Sequence, residues 1–344
     1  MKPKVSHQTV QPSQVSELLF THFANLMSEF YEMQSMFLSK RYKVHQSLET
    51  SSIIISLIKN THLAILRQRE KHLDHDISLE NFFNNLEIVK NDPDSLERTA
   101  NKIVTLVNAT SIPKETVRRK LKKLEKDGFL KVNKYKEYFW TLEEKRKDNF
   151  IKIMKADISG IAKFVSNISK FLNINLPQKE IEKEIKKQFS FYFYHFLNCQ
   201  ITWLNMWQNK IKDIDLVLIS LQALIPTLQC ADKNIKIQGL ENTYKFIGHT
   251  DENYKLSSAS ISAASISQVT GIPRATCIRK LEKLVVLGML VREEKTKRYY
   301  VNRQAAGRTK HIITKENINF TIKTFSEYLS IIINAISRNL ISRI

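Results

Sequence analysis

One segment of the sequence occurs twice, and this duplication constrains the fold more than any other feature. A shift of 160 residues places residues 110–130 on residues 270–290, and eleven of the 21 aligned positions are then identical. Self-similarity at a fixed offset indicates that one structural unit is built twice in the chain. The length of 344 residues leaves room for two or three domains.

Weaker similarity surrounds the two copies. The run Ser52–Ile58 resembles Asp215–Leu221, and the Phe-Tyr pair at 30–31 resembles the Phe-Tyr pair at 193–194. These matches predict that the flanking helices are duplicated together with the central segment.

The boundary between the two copies is predicted at residues 173–178. This stretch reads NINLPQ, and Asn and Pro interrupt regular structure. We therefore predict a flexible tail at residues 1–13, a first unit at residues 14–172 and a second unit at residues 173–344.

The flanking segments favour helices. Only seven Gly and seven Pro are present, too few turn residues for a protein of many strands, so the chain should be mainly α. Apolar residues recur at spacings of three and four over Val15–Val44, which predicts one amphipathic helix there, matched by another from about Ile181 to Ile211. Ile151–Leu172 and Ile312–Ile333 predict a closing helix for each unit.

The repeated segment itself predicts a short basic helix. Pro113 suits the first turn of a helix, where its missing N–H has no partner. Val117, Leu121 and Leu124 form one apolar seam, and Gly128 follows where a left-handed C-terminal cap favours glycine.

A hairpin should follow this helix. Polar residues separate two strand-like runs, Phe129–Val132 and Glu137–Leu142, which is a hairpin signal. The second copy repeats the pattern, with the aromatic pair 299–300 in the place of the pair 139–140.

The pattern Ile-Pro-x-x-Thr-x-x-Arg-Lys-Leu-x-Lys-Leu-x-x-x-Gly-x-Leu resembles the recognition helix of bacterial winged-helix regulators of the MarR and Crp types. The order of long helix, winged helix and closing helix most resembles the MarR plan, whose terminal helices form a dimer interface. The resemblance implies two tandem winged helix-turn-helix units with small β-hairpin wings, at about 95–142 and 256–302. Since both units share one chain, the two-fold pair would be internal, and further homodimerisation stays open.

The resemblance also implies where DNA is contacted. An inserted helix can read base edges in the major groove while a wing reaches the backbone, and arginine pairs well with guanine. In the first unit the implied contacts are Lys114, Glu115, Thr116, Arg118, Arg119, Lys122, Lys134 and Lys136. In the second unit they are Arg274, Thr276, Arg279, Lys280, Lys283, Lys295, Lys297 and Arg298.

The two copies differ on their surfaces. Residues 113–136 contain ten basic and three acidic residues, whereas residues 273–296 contain six and three. We expect the first unit to carry more of the DNA affinity. Ala275 and Ile278 in the second unit would read another half-site, contact thymine methyl groups or pack against protein.

Charge supports a polyanionic partner. Lys and Arg exceed Asp and Glu by 54 to 34, a net charge of +20, and such a field attracts nucleic acid or anionic membrane. The apolar runs Phe189–Trp207 and Leu216–Leu228 are interrupted by polar residues or shorter than the roughly 20 residues of a membrane span, so we expect buried helices. Three scattered cysteines and the lack of a secretory signal at the N-terminus favour a cytoplasmic protein.

Enzymatic signals are weak. His72, His75 and the neighbouring Asp74 and Asp76 are plausible metal ligands, but an exposed polar loop explains them better. His195 and Cys199, four residues apart, fit a core helix. No phosphate-binding glycine loop or nucleophile elbow is present, so we expect no enzyme activity, no cofactor and no metal.

These observations predict a sequence-specific regulator of transcription that binds double-stranded DNA at the nucleoid. Its two pseudo-symmetric winged helices would engage half-sites about one helical turn apart, and a small-molecule effector stays open. One alternative is a plasmid-type replication initiator, which also resembles tandem winged helices. Another is a non-enzymatic winged-helix scaffold that binds protein, although the positive charge counts against it.

Overall fold

The computed structural model describes residues 9–91, 101–236, 238–248, 259–302 and 315–341. Over these ranges the chain forms fourteen α-helices, one 3-10 helix and two two-stranded antiparallel sheets. The prediction of a mainly α protein is therefore confirmed. None of these helices is alone long and apolar enough to cross a membrane, and α9 with α10 meets that test only as a pair bent by 101°.

The elements follow the same order in both halves of the chain. The first half contains α1 (Pro12–Thr21), α2 (Phe23–His45), α3 (Leu48–Lys71), α4 (Phe82–Asn91), α5 (Ile103–Thr110), α6 (Lys114–Lys126), β1 (Leu130–Val132), β2 (Tyr138–Trp140), the 3-10 turn Glu144–Arg146 and α7 (Lys147–Phe171). The second half contains α8 (Gln178–Lys187), α9 (Phe189–Ile211), α10 (Asp215–Asn234), α11 (Leu240–Gly248), α12 (Ala263–Thr270), α13 (Arg274–Val286), β3 (Leu290–Arg292), β4 (Tyr299–Val301) and α14 (Lys315–Ile341).

The two long N-terminal helices of the sequence prediction are each broken. The backbone leaves the helical conformation at His22 (φ −107°, ψ 40°) and at Gln188 (φ −111°, ψ 43°). The prediction of one helix over each stretch was wrong, because both fragments bury their apolar residues in the same core and the three-four spacing continues across the break. The helices α4 and α11 were not predicted.

The predicted tail is shorter than expected. Val10 is buried, its N–H donates to Asn334 Oδ1 at 2.9 Å and its carbonyl accepts from Asn334 Nδ2 at 2.8 Å. Val10 is therefore tied to α14, and α1 begins at Pro12. Residues 1–8 lie outside the described ranges.

The helices of the two halves pack crosswise around one core. α2 packs against α10 and α3 against α9, while α1 packs against α14 and α7 against α8. The buried apolar residues form one continuous cluster from Val10 to Ile336. Because each half covers the apolar faces of the other, the flanking helices complete a shared core.

Matched residues show the pseudo-two-fold relation of this core. Helices α1 and α8 have 10 residues each, and α2 and α9 have 23 each. Aligning their first residues pairs Phe30 with Phe196 and Phe37 with Trp203. The rings of Phe30 and Trp203 meet edge to face at 6.4 Å, and those of Phe37 and Phe196 do so at 5.2 Å. The two contacts exchange under the pseudo-two-fold operation.

This register corrects the alignment of the flanking helices. Phe30 corresponds to Phe196 and not to Phe193, and the same offset places Ile214, the residue before α10, opposite Leu48 at the start of α3. A slip of three residues keeps the same face of a helix toward the core, so an apolar pattern alone does not fix the register.

Each half also carries a compact module of two helices and a hairpin. The first module comprises α5, α6, β1 and β2, and the second comprises α12, α13, β3 and β4. The predicted hairpins are confirmed, with Leu130 opposite Trp140 and Leu290 opposite Val301. Trp140 therefore corresponds to Val301, which shifts the predicted match of the aromatic pairs by one residue. The loop of the second hairpin is one residue longer.

Candidate nucleic-acid interface

The exposed side of α6 is basic, whereas its other side belongs to the core. Val117, Leu121 and Leu124 are buried. The predicted contacts on this helix share the opposite surface, where Thr116 is half-buried and the others are exposed: Lys114, Glu115, Arg118, Arg119 and Lys122. Lys123 and Lys126 extend this surface, which we call the α6 face. Their ammonium groups and guanidinium groups give it a strong positive charge.

One of the predicted DNA contacts on the α6 face is a carboxylate, Glu115, and it pairs with a neighbouring side chain. Glu115 accepts a hydrogen bond from Arg118 Nη1 at 3.0 Å, and both side chains are largely exposed. Exposed pairs of this kind contribute about 0.2–1 kcal/mol. Arg118 can therefore leave Glu115 for a phosphate or a base at small cost.

The ends of α6 are fixed by its flanking backbone. Pro113 (φ −55°) precedes the first helical residue, one position earlier than predicted, and its carbonyl accepts from Val117 N at 3.0 Å. Gly128 has φ +73°, and the N–H groups of Gly128 and Phe129 bond back to the carbonyls of Glu125 and Leu124 at 3.0 and 2.9 Å. The predicted left-handed cap is confirmed, and Gly288 repeats it in the second module with φ +73°.

The tip of the first hairpin adds further positive charge. Lys134 and Lys136 are exposed there, and Lys136 has φ +60°. Asn133 Oδ1 accepts from the N–H groups of Tyr135 and Glu137, both at 3.0 Å, and this fixes the turn. Tyr135, half exposed at the tip with Lys134 Nζ 5.1 Å from its ring centre, was not among the predicted residues.

The corresponding face of α13 is less charged. Arg274 and Arg279 are exposed and Lys283 is half exposed, whereas Thr276 is half-buried in the first turn. Ile278 is 40% exposed and Val286 is 86% exposed. Where α6 presents Lys126, α13 thus presents an apolar side chain to solvent.

Lys280 does not belong to this surface, which corrects its predicted role as a DNA contact. It is only 9% exposed, and its ammonium lies 2.7 Å from Asp213 and 3.3 Å from Asp215. Moving this ammonium to a phosphate would leave the partly buried Asp215 without its cation and Asp213 with only Lys283, at 3.6 Å.

The residues of the second hairpin that were predicted to contact DNA lie in two different environments. Lys295 and Lys297 are exposed at the tip, and Lys297 repeats the positive φ of Lys136 at +55°. The Arg298 guanidinium instead donates from Nε to Ser260 Oγ at 2.9 Å and from Nη2 to the Ser260 carbonyl at 2.8 Å. Arg298 therefore ties the hairpin to the segment before α12, and because the residue is also exposed, its contact with DNA stays a prediction.

A contact within the second module has no equivalent in the first. Glu282 accepts from the Tyr299 hydroxyl at 2.6 Å and pairs with Arg292 at 3.0 Å. Burial, the hydrogen bond to Glu282 and its charge together raise the pKa of Tyr299 to about 12. The matching position to Glu282 in α6 is Lys122, whose side chain is exposed. The carboxylate therefore stabilises the second module and lowers the positive charge of α13.

A cavity of about 860 Å³ lies beside the first module, between α2, α3, α7 and the hairpin. Its apolar lining includes Phe129 and Trp140, and its cations include Arg41 and Arg146. His45 lies in the same wall. Burial, and to a lesser extent the nearby cations, lower the pKa of His45 to about 4. In the pseudo-two-fold register, Trp207 and Ile211 replace Arg41 and His45. These polar groups are particular to the first unit, and the Arg41 guanidinium is paired with the buried Asp157 at 2.7 Å.

The other candidate sites do not assemble a metal-binding cluster. Across the described ranges, no three His, Cys, Asp or Glu side chains converge. Asp76 accepts from Ser78 N at 2.8 Å, a local turn contact in the loop of His72 and His75. His195 packs on Phe191, and burial raises the pKa of the Cys199 thiol well above its usual value.

The structure also assigns a role to a residue that the sequence analysis missed. Lys120 projects from α6 toward the N-terminus of α3 and lies within hydrogen-bonding distance of Ser47 and Thr50. Lys120 and Lys280 occupy matching positions in the two copies. Their identity was visible in the sequence, because this lysine is retained while much of the exposed surface differs.

Comparison with known proteins returned no match to any protein-family model, curated protein or solved structure.

Proposed function

We propose that this protein is a sequence-specific regulator that binds double-stranded DNA through two winged helices, one per module. The observation that supports the proposal best is the α6 face, where exposed basic residues share one helix surface beside the lysines of the hairpin tip. A helix of this kind can enter the major groove while the hairpin contacts the flanking backbone. The net charge of +20 adds attraction to the phosphates.

The pseudo-two-fold core supports inverted half-sites as the target. α6 and α13 are attached to matching positions of a core whose two halves exchange under the pseudo-two-fold operation. Inverted half-sites have the same symmetry. This favours a promoter-type palindrome over the direct repeats that a replication initiator would bind. Action at the nucleoid is part of the same proposal.

The two modules would contribute unequally. The α6 face carries the larger positive charge, so the first module supplies more of the affinity. On α13, the exposed Ile278 and Val286 suit contacts with thymine methyl groups. The same apolar side chains are the specific observation that favours the second candidate function, a protein contact by the second module.

The proposal is tested by replacing Arg118 and Arg119 together with alanine and measuring affinity for duplex DNA between 50 and about 200 mM salt. Each lost phosphate contact should reduce the salt slope by about one, so we expect a slope reduced by up to two and weaker binding at every salt concentration. The matched control replaces Lys155 and Lys163, two exposed lysines of α7, with alanine. It removes the same charge and should leave most of the slope intact.

Equal loss in both variants would mean that net charge alone drives binding, and it would contradict the assignment of the α6 face. If the wild-type protein shifts no duplex at low salt, the DNA-binding proposal fails, and the protein-binding scaffold becomes the better account.

A further inference from the structure

A chain of polar contacts connects α6 to α13 through the middle of the molecule. On the first side, Lys120 Nζ lies 3.0 Å from Ser47 Oγ, 3.1 Å from Thr50 Oγ1 and 3.2 Å from the Glu49 carboxylate. All three acceptors belong to the N-terminal end of α3. The lysine therefore anchors the middle of α6 to the start of that helix.

The second side repeats this arrangement. Lys280 Nζ lies 2.7 Å from Asp213 and 3.3 Å from Asp215, at the N-terminal end of α10. The side chains of Lys120 and Lys280 are only 15% and 11% exposed. A partly buried ion pair is screened by salt much less than an exposed one.

The two anchors are joined to each other. Asp215 Oδ1 accepts a hydrogen bond of 3.1 Å from the backbone N–H of Leu48, the first residue of α3. The same carboxylate group thus contacts the cation of the second module and the helix end that holds the cation of the first. We call these contacts of Lys120 and Lys280 with the two helix ends the lysine clamp.

We propose that Lys120 and Lys280 are positioning residues that fix the separation and orientation of α6 and α13, and thereby select the spacing between the two DNA half-sites. This inference rests on the proposed function. When two binding elements are linked, the second binds with a high effective concentration only if the linkage allows both to engage together. A rigid connection therefore favours one spacing, whereas a loose one tolerates several.

The first arm of the test needs no DNA. Spin labels are placed at Lys126→Cys and Val286→Cys, two exposed matching positions, in a Cys230→Ser background in which Cys199 and Cys277 stay buried. The label-to-label distance distribution is measured by pulsed electron resonance. Wild-type contacts should give one narrow distribution, and Lys120→Met with Lys280→Met should broaden it about twofold.

The matched control replaces Lys155 and Lys163, two exposed lysines of α7, with methionine. It removes the same charge as the clamp variant, but both residues lie outside the lysine clamp and outside α6 and α13. The control should keep the narrow distribution. If the double clamp variant does not fold, Lys280→Met alone leaves the first anchor intact and should give intermediate broadening.

The second arm measures affinity for duplexes in which the spacing between half-sites changes one base pair at a time. In the wild type and the control, a change of two base pairs, about 7 Å along the helix axis, should weaken binding at least about tenfold. In the clamp variant the same change should cost less than about threefold.

An unchanged distance distribution, or an unchanged spacing profile in a folded clamp variant, would overturn the inference. If the distribution broadens but no duplex is bound by the wild type, the proposed function fails and spacing selection fails with it. The positional role of the clamp would then be shown by the first arm alone.

Discussion

Replacement of His62 by leucine should stabilise the protein, and more at acidic pH than at alkaline pH. His62 lies in α3, fully buried, with its ring 5.0 Å from Phe82 and 5.2 Å from Phe189. Neither ring nitrogen has a hydrogen-bond partner. Burial lowers the pKa of His62 from 6.5 to about 3.

Leucine is the residue that the molecule itself uses at the matching position. Thr61 and Thr227 donate in the same way to the carbonyls four residues earlier, Leu57 and Ala223. This places Leu228 opposite His62 in the pseudo-two-fold register. Leu228 is buried in the same core, so an aliphatic side chain of this kind fits such a site.

The magnitude follows from the difference in proton binding. Below pH 6.5 the unfolded chain protonates this imidazole while the folded chain does not, so stability falls as the pH falls toward the folded pKa. At pH 5 the pH lies 1.5 units below the unfolded pKa of 6.5, and each unit corresponds to 1.36 kcal/mol, so His62 costs about 2 kcal/mol relative to pH 8. Removing the unsatisfied ring nitrogens should raise the free energy of unfolding by about a further 1 kcal/mol at any pH.

The assay is urea unfolding of the wild type and His62→Leu at pH 8 and pH 5, followed by circular dichroism. Groups that titrate equally in both proteins, His45 among them, cancel in the difference. His72→Leu is the matched control, because His72 is exposed, and it should show no pH-dependent gain. A stability difference between His62→Leu and wild type that is equal at the two pH values would refute the reasoning.

Three further outcomes follow from particular contacts. Gly128→Ala should destabilise the folded protein by about 1–2 kcal/mol in the same urea assay, because the φ of +73° at this position disfavours a Cβ. Gly160→Ala is the control. Its Cβ would meet Met33 Cγ at an ordinary 3.7 Å, so this variant should be neutral or stabilising. Cys230 should react first with a thiol reagent, as followed by mass spectrometry, because Cys277 is buried and burial raises its pKa to about 11; faster labelling of Cys277 would contradict the packing of α13. Val286→Lys restores the charge that α6 has at Lys126, so duplex affinity should rise, and no change would mean that α13 lies off the DNA.

The sequence predicted the modules well because their signals are local. Backbone preferences fix the helix ends at Pro113 and Gly128, and the residue alternation fixes the hairpin. Because the segment is repeated 160 residues later, each of these signals occurs twice in the sequence. The apolar seam of α6 was predictable for the same reason, since Val117, Leu121 and Leu124 follow the helical period.

The arrangement of the modules was not predictable from those signals. The breaks at His22 and Gln188 interrupt helices whose apolar pattern continues, and the crosswise packing depends on contacts between residues far apart in the chain. In the sequence, nothing distinguished Lys280 from the exposed basic residues of the same helix. Its partners at Asp213 and Asp215 became visible only once α10 was in place.

The central claim, that this chain reads DNA with two pseudo-symmetric modules, is tested most directly by selecting bound sequences from a pool of random duplexes with the full-length protein. We expect an enriched site of two inverted half-sites at one fixed spacing. The half-site lost in the Arg118→Ala, Arg119→Ala variant should be the more strongly specified of the two. Absence of any enriched sequence at low salt, or enrichment that the Arg118→Ala, Arg119→Ala variant leaves unchanged, would contradict it.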